Sequence, residues 1–329
     1  MREAEFSKMM SDGRMSCLLC PNYCLIAEGE TGLCLGRGLR GGHPSLLTYG
    51  KVVAANVDPI EKKPLYHFYP GRPILSVGTF GCNLRCRFCQ NSDLSQAEQP
   101  TTYLSADTLC QRAFHLPDNL GIAFTYNEPG IWFEYVIDAA RLLREASLKT
   151  VMVTNGYLCA EPFTRLCRQV DAMNIDLKAF NETFYKEECR GGLEAVKRNI
   201  EIAVRSGIHV ELTNLVVTGL NDNEAEFGRM IDWIASLGKD IPLHISRYFP
   251  RYLETAPATD PATIKRFVDL AGKKLSFVYA GNLAGQQNTY CPQCNALLIE
   301  RKGYSTRLHI TSEQCDCGYR LKNMIQAVK

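Results

Sequence analysis

Between residue 73 and about residue 282, short apolar runs alternate with longer stretches whose apolar residues recur every three or four positions. The runs PILSVGTF (73–80), GIAFTY (121–126), KTVMVT (149–154), AMNIDL (172–177), HVELTNLV (209–216) and PLHISRY (242–248) predict strands, with SFVYAG (276–281) a candidate seventh. Trp132, Val136, Ala139 and Leu143 make one helical stripe, and Pro129 suits its first turn. Leu193, Val196, Ile200 and Ala203 make another, with Gly207 placed to end it. Asn221 with Glu224 predicts a capping pair before Phe227, Ile231 and Ile234, Gly238 closes that helix, and Asp260-Pro261 opens the next. Strands alternating with helices predict βα units on a parallel sheet. Six such units form an α/β partial (β/α)6 barrel whose working face is the C-terminal ends of the strands.

The flanks read differently. Residues 1–50 and 286–329 are cysteine-rich segments around a barrel domain at 51–285, which begins with a proline- and charge-rich connection, DPIEKKPLYHFYPG (58–71). His67 in that connection predicts a packed loop closing one end of the barrel.

Lysine plus arginine number 37 against 35 aspartates and glutamates, a balance that gives no electrostatic reason to expect nucleic acid or a membrane surface as partner. MREAEFSKMMSDGR lacks the apolar core of a secretory signal, and no run approaches the ~20 apolar residues of a membrane span. The expectation is a cytoplasmic protein. In a reducing compartment fifteen cysteines point to metal rather than to disulfides, and eleven of them fall into three tight groups.

The middle group, Cys82, Cys86 and Cys89 in GCNLRCRFCQN, supplies three thiolates where a closed four-iron cluster takes four. Three would leave one iron open, and an open position is where chemistry occurs, as with catalytic against structural zinc. Cys291, Cys294, Cys315 and Cys317 offer a complete tetrahedral thiolate set and predict zinc. The last two enclose a single aspartate, so the reading leaves room for one weak ligand or for His309 in its place. Cys17, Cys20, Cys24 and Cys34 leave structural zinc and an auxiliary 4Fe-4S cluster both open. Of the scattered cysteines, Cys110 and Cys167 fit helix interiors, and Cys189 is the candidate substrate-facing thiol.

The C-x3-C-x2-C spacing, with Phe88 before the last cysteine and the loop following the first barrel strand, resembles the radical S-adenosylmethionine superfamily. TYNEP (125–129), TNGY (154–157), NIDLK (174–178) and PLHISRY are similar to the subgroup of pyruvate formate-lyase activating enzymes. With the flanking cysteines included, the whole chain resembles the radical component of the AmmeMemoRadiSam system. The resemblance implies an enzyme whose 4Fe-4S cluster reductively cleaves S-adenosylmethionine, giving methionine and a 5′-deoxyadenosyl radical that abstracts hydrogen from a substrate it does not identify. It also implies a flavodoxin- or ferredoxin-type electron donor and association with AMMECR1-like and Memo-like proteins. Glu128 and Asn127 then lie where the cofactor's amino group binds, although Tyr-Asn-Glu-Pro departs from the superfamily's Gly-Gly-Glu-like segment. Asp176 and Lys178 help bind its carboxylate or ribose, Thr154 and Asn155 line the third strand end, and His244 lies near the adenosine. A glycyl-radical-enzyme activase and a non-catalytic iron–sulfur carrier or scaffold are the alternatives.

Overall fold

A computed structural model describes residues 2–285 and 287–321. Its centre is an eight-stranded sheet in sequential order: β1 (Ala54–Pro59), β2 (Pro73–Gly78), β3 (Gly121–Phe124), β4 (Lys149–Thr154), β5 (Ala172–Asp176), β6 (His209–Val216), β7 (Leu243–Arg247) and β8 (Val278–Gly281). Strands β2 to β8 are all parallel, so the candidate seventh strand is real. Strand β1 adds an antiparallel edge to β2. AANVDP gives little strand signal of its own, since most of its side chains stay half or fully exposed and it carries asparagine, aspartate and proline. It forms by pairing with β2 rather than by burying a face.

The crossovers are α1 (Ala106–His115), α2 (Phe133–Glu145), α3 (Ala160–Cys167), α4 (Glu182–Cys189), α5 (Leu193–Arg205), α6 (Glu224–Leu237) and α7 (Pro261–Ala271). Their stripes (Val136, Ala139 and Leu143; Val196, Ile200 and Ala203; Phe227, Ile231 and Ile234) are buried in one continuous core. Capping follows the predicted chemistry except before α2, where Pro129 opens a 3-10 turn (Pro129–Trp132) that runs into the helix, and before α6. There Asn223, not Asn221, accepts from the Glu226 amide. Asn221 instead donates to the Lys178 and Leu215 carbonyls and accepts from the Val217 amide, tying the ends of β5 and β6 together. A tertiary bond took the asparagine that the local pattern assigned to a cap.

Each flank is pinned to the barrel through a buried arginine. In the N-terminal segment Arg37 donates to both oxygens of Glu134 on α2, at 2.5 and 2.7 Å, and to the Glu5 carbonyl. In the C-terminal segment strands β9 (Thr289–Tyr290), β10 (Leu297–Lys302) and β11 (Ser305–Leu308) pack Leu298 and Ile299 against Phe277 and Tyr279. Arg301 on β10 donates to the Tyr66 carbonyl at 2.6 Å and lies 4.4 Å over the Tyr66 ring. His67 is fully buried as a packed residue, its Nε2 2.5 Å from the Tyr279 hydroxyl.

Candidate active site

The C-terminal ends of the parallel strands surround a cavity of about 400 Å³. Cys82, Cys86 and Cys89 reach it from the loop after β2, Asn127 and Glu128 from the end of β3, and Thr154 and Asn155 from β4. Asp176 ends β5, Lys178 follows it two residues on, and His244 comes from β7. All ten residues singled out for cluster and cofactor therefore share one wall system, because parallel strands deliver their carboxyl ends to one side.

The three thiols sit in a donor-rich setting. The Cys82 sulfur accepts from the Leu84 amide at 3.4 Å and from Asn155 Nδ2 at 3.5 Å, and Cys89 Sγ lies 3.2 Å from Ser95 Oγ. Burial and the Glu128 carboxylate push the Cys82 thiol up, while contact with Cys189 and the Lys178 ammonium pull Cys86 down against its own burial. Cys189 is the neighbour of Cys86 inside the core and lines no part of the cavity, so it is not a substrate-facing thiol. Among the described residues, the three sulfurs do not all lie within 4.8 Å of one another.

Glu128 joins two strands. Its Oε1 accepts from the Gly130 amide and Thr154 Oγ1, and its Oε2 from the Asn155 amide, each at 2.7 Å. Burial nonetheless lifts its carboxyl to about 7, opposed by those three donors. Asn127 bridges the Thr79 amide and the Gly81 carbonyl, which fixes the cysteine loop to the end of β3. Lys178 Nζ donates to Asp176 Oδ2 at 2.7 Å. Burial works against the ammonium charge, but Asp176 and the Cys86 and Cys189 thiols hold it well above the usual lysine value. The strand ends at Asp176, so the segment after β5, rather than strand alternation, carries Lys178 back to its partner.

His244 is a cavity residue whose Nε2 already has a partner, Glu211 Oε2 at 2.6 Å. Its ring stacks on Tyr279 and meets the edge of Tyr66. Glu211 also lies 2.9 Å from His209 Nε2 and accepts from the Tyr66 and His67 amides. Burial opposes its charge, yet the two histidines hold its carboxyl well below the ordinary range. Sequence reasoning missed Glu211, although a glutamate two places from a histidine inside a buried strand was a signal. It also missed Tyr66 and Tyr304, which line the cavity from the 58–71 connection and from the β10–β11 turn.

The two flanking quartets differ in geometry. The sulfurs of Cys291, Cys294, Cys315 and Cys317 all lie within 4.8 Å of one another, with Cys291–Cys317 and Cys294–Cys315 at 3.6 Å. The single-residue spacer is therefore no obstacle, and His309 does not substitute: it faces Glu300 at 3.5 Å. Among the described residues no such tight set forms from Cys17, Cys20, Cys24 and Cys34. No described helix is long and apolar enough to cross a membrane.

The family model for the Radical SAM superfamily matches residues 76–234. An uncharacterized protein of Methanocaldococcus jannaschii is 40% identical over 98% of this chain and 99% of its own length. A GTP 3′,8-cyclase of Synechocystis sp. is 29% identical over 44% of this chain and 45% of that protein. A pyruvate formate-lyase-activating enzyme of Clostridium pasteurianum is 22% identical over 48% of this chain and 67% of that one. Among solved structures, Streptococcus suis SuiB bound to S-adenosylmethionine aligns with a TM-score of 0.52 at 13% identity, covering 68% of this chain and 53% of that one. That likeness is one of fold.

Proposed function

The chain belongs to the Radical SAM superfamily, and from that premise we propose that it is an enzyme holding a 4Fe-4S cluster at Cys82, Cys86 and Cys89. The observation that carries the reading is the cavity itself: three thiols of one loop line it, and among the described residues no fourth cysteine does. The donor set fits the group: contact with Cys189 and the Lys178 ammonium favour a thiolate at Cys86, and amide donors on Cys82 work against the burial and the Glu128 charge that raise its thiol. A cluster held there would supply the single electron for reductive cleavage of S-adenosylmethionine, the chemistry from which a 5′-deoxyadenosyl radical would arise.

The protein's part is to bind, orient and exclude. Glu128 presents a carboxylate that is already aligned by three donors and can accept from an ammonium group. Lys178, balanced by Asp176, offers a cation toward a carboxylate or ribose, and Asn155 links the cofactor wall to the cluster loop through Cys82 and Asn83. Tyr66 and His244, packed edge to face, bring aromatic side chains to the cavity wall, where an adenine ring could pack. Relatives that act on as different substrates as a nucleotide and a protein show why the superfamily does not fix the substrate here. A flavodoxin- or ferredoxin-type donor and the AMMECR1-like and Memo-like partners belong to the same proposal, and so does zinc at the C-terminal quartet. Four thiolates at Zn–S of about 2.3 Å would stand about 3.8 Å apart, close to the sulfur separations seen.

Anaerobically reconstituted protein should cleave S-adenosylmethionine under strong reductant, and replacing Cys82, Cys86 and Cys89 by alanine should abolish 5′-deoxyadenosine formation. Cleavage undiminished in that variant would end the reading, and no cleavage by the iron-loaded parent would favour a carrier or scaffold. Glycyl-radical EPR on mixing with a partner protein would mark an activase.

A further inference from the structure

The N-terminal quartet sits against the cluster loop rather than apart from it. Gly81, the residue before Cys82, has φ +89°, and a Cβ there would come within 2.0 Å of the Cys34 carbonyl oxygen. Asn22, between Cys20 and Cys24, donates to the Asn83 carbonyl at 2.7 Å, and Arg85 donates to the Leu33 carbonyl. The two cysteine-bearing loops thus meet at one close backbone approach and two side-chain-to-carbonyl hydrogen bonds. Cys17, Cys20 and Cys34 are buried and Cys24 is half-buried.

We propose that Cys17, Cys20, Cys24 and Cys34 bind a second iron–sulfur cluster, one that takes all four ligands from the protein and exchanges electrons with the cavity cluster. This rests on the reading of Cys82, Cys86 and Cys89 given above. The choice against zinc comes from spacing. A single ion draws four thiolates into one small tetrahedron, as at the C-terminal quartet, whereas a cluster spreads them over separate irons. By that measure the N-terminal set groups with the cavity cysteines. The role follows from the position. Leu18, Tyr23, Leu25 and Leu33, which lie between the cysteines in sequence, are exposed, so this end is within reach of an external low-potential reductant, while the other side touches the cavity loop. One electron enters from that reductant and one leaves toward the cavity cluster, and no bond is made or broken.

The test uses the full chain, reconstituted without oxygen with iron and sulfide, and compares it with two variants. One carries Cys20→Ser and Cys24→Ser, and the other carries alanine at Cys82, Cys86 and Cys89. The parent should hold about eight irons and each variant about four. After dithionite reduction, the EPR signal of the alanine variant should be unchanged by S-adenosylmethionine, and that of the serine variant should shift. Parental protein should show both signals, which keeps the test open if the serine variant fails to fold. Zinc without iron in the alanine variant, or full iron in the serine variant, overturns the proposal. About four irons in both parent and alanine variant would instead remove the cavity cluster and leave the N-terminal assignment standing on its own count.

Discussion

The two cysteine quartets have the same ligands and opposite relations to the fold. The C-terminal set closes on itself, with sulfurs 3.6 Å apart in pairs, and its neighbours Leu298, Ile299 and Leu321 form a small core with Phe277, just before β8, and Tyr279 on it. The N-terminal set is wider and shares the main core, where Cys17 and Cys20 pack with Leu19 and Ile26. A short segment whose private core has few apolar residues depends on its metal, whereas one that borrows a barrel does not. On the readings proposed above, identical ligands would serve a structural staple in one place and a redox site in the other.

The largest expected effect breaks that contrast most directly. Structural zinc in small domains contributes on the order of 10 kcal/mol, so Cys291→Ser should unfold the β9–β11 segment locally and abolish hydrogen-exchange protection across Leu297–Lys302. Cys24→Ser should leave protection of Met15–Cys17 largely intact, because that strand pairs on both sides and buries Met15 in the main core. Equal loss of protection in both variants would show that the N-terminal set is a staple too.

The buried arginines sharpen the comparison at an intermediate scale. Arg37→Met would leave Glu134 buried without its bidentate partner, at a cost of roughly 3–5 kcal/mol. Arg301 has its nearest carboxylate, Glu61, only at 4.0 Å and is held chiefly by the Tyr66 and Gln287 carbonyls, by Thr289 and by the Tyr66 ring. Arg301→Met should therefore cost less, roughly 2–3 kcal/mol. Urea midpoints of the two variants give the order directly, and a reversed order would mean that the C-terminal clamp is the stronger one.

The parts of the molecule that were legible in the sequence are those built from local pattern. Parallel strands buried on both faces read as apolar runs, and strand ends in a parallel sheet meet on one side, so Asp176, Lys178 and Glu128 could be placed around one cavity before any coordinates. What stayed hidden arises from contacts between distant segments. Tyr304 enters the cavity wall only because the β10–β11 hairpin docks beside residues 61–71, where Thr306 Oγ1 donates to Glu61 at 2.7 Å. Strand β1 exists through its partner, and Asn221 serves Lys178 rather than a helix end. Sulfur spacing, on which the two quartets divide, is a three-dimensional quantity that intervals such as C-x2-C and C-x-C do not encode.

The smallest expected effect concerns the pH response of the C-terminal clamp alone. His67 is buried beneath that segment, its Nε2 against the Tyr279 hydroxyl, which in turn lies 2.8 Å from Thr289, while its Nδ1 has no hydrogen-bond partner. Burial, opposed by Glu211 and aided by Arg301, lowers its pKa to about 3. An unfolded histidine takes up a proton near pH 6.5, so between about 6.5 and 3 the unfolded chain binds more protons than the folded one. The contribution of His67 is therefore complete above about pH 6.5 and falls by about 1.4 kcal/mol per unit as pH drops through that window. From pH 7 to pH 5 the parent should lose about 2 kcal/mol more stability than His67→Gln, which carries no titrating group there. Equal losses in parent and variant would mean that the folded protein accepts the proton at His67 as readily as the unfolded chain does, and the C-terminal face would then have no acid-sensitive contact at this residue.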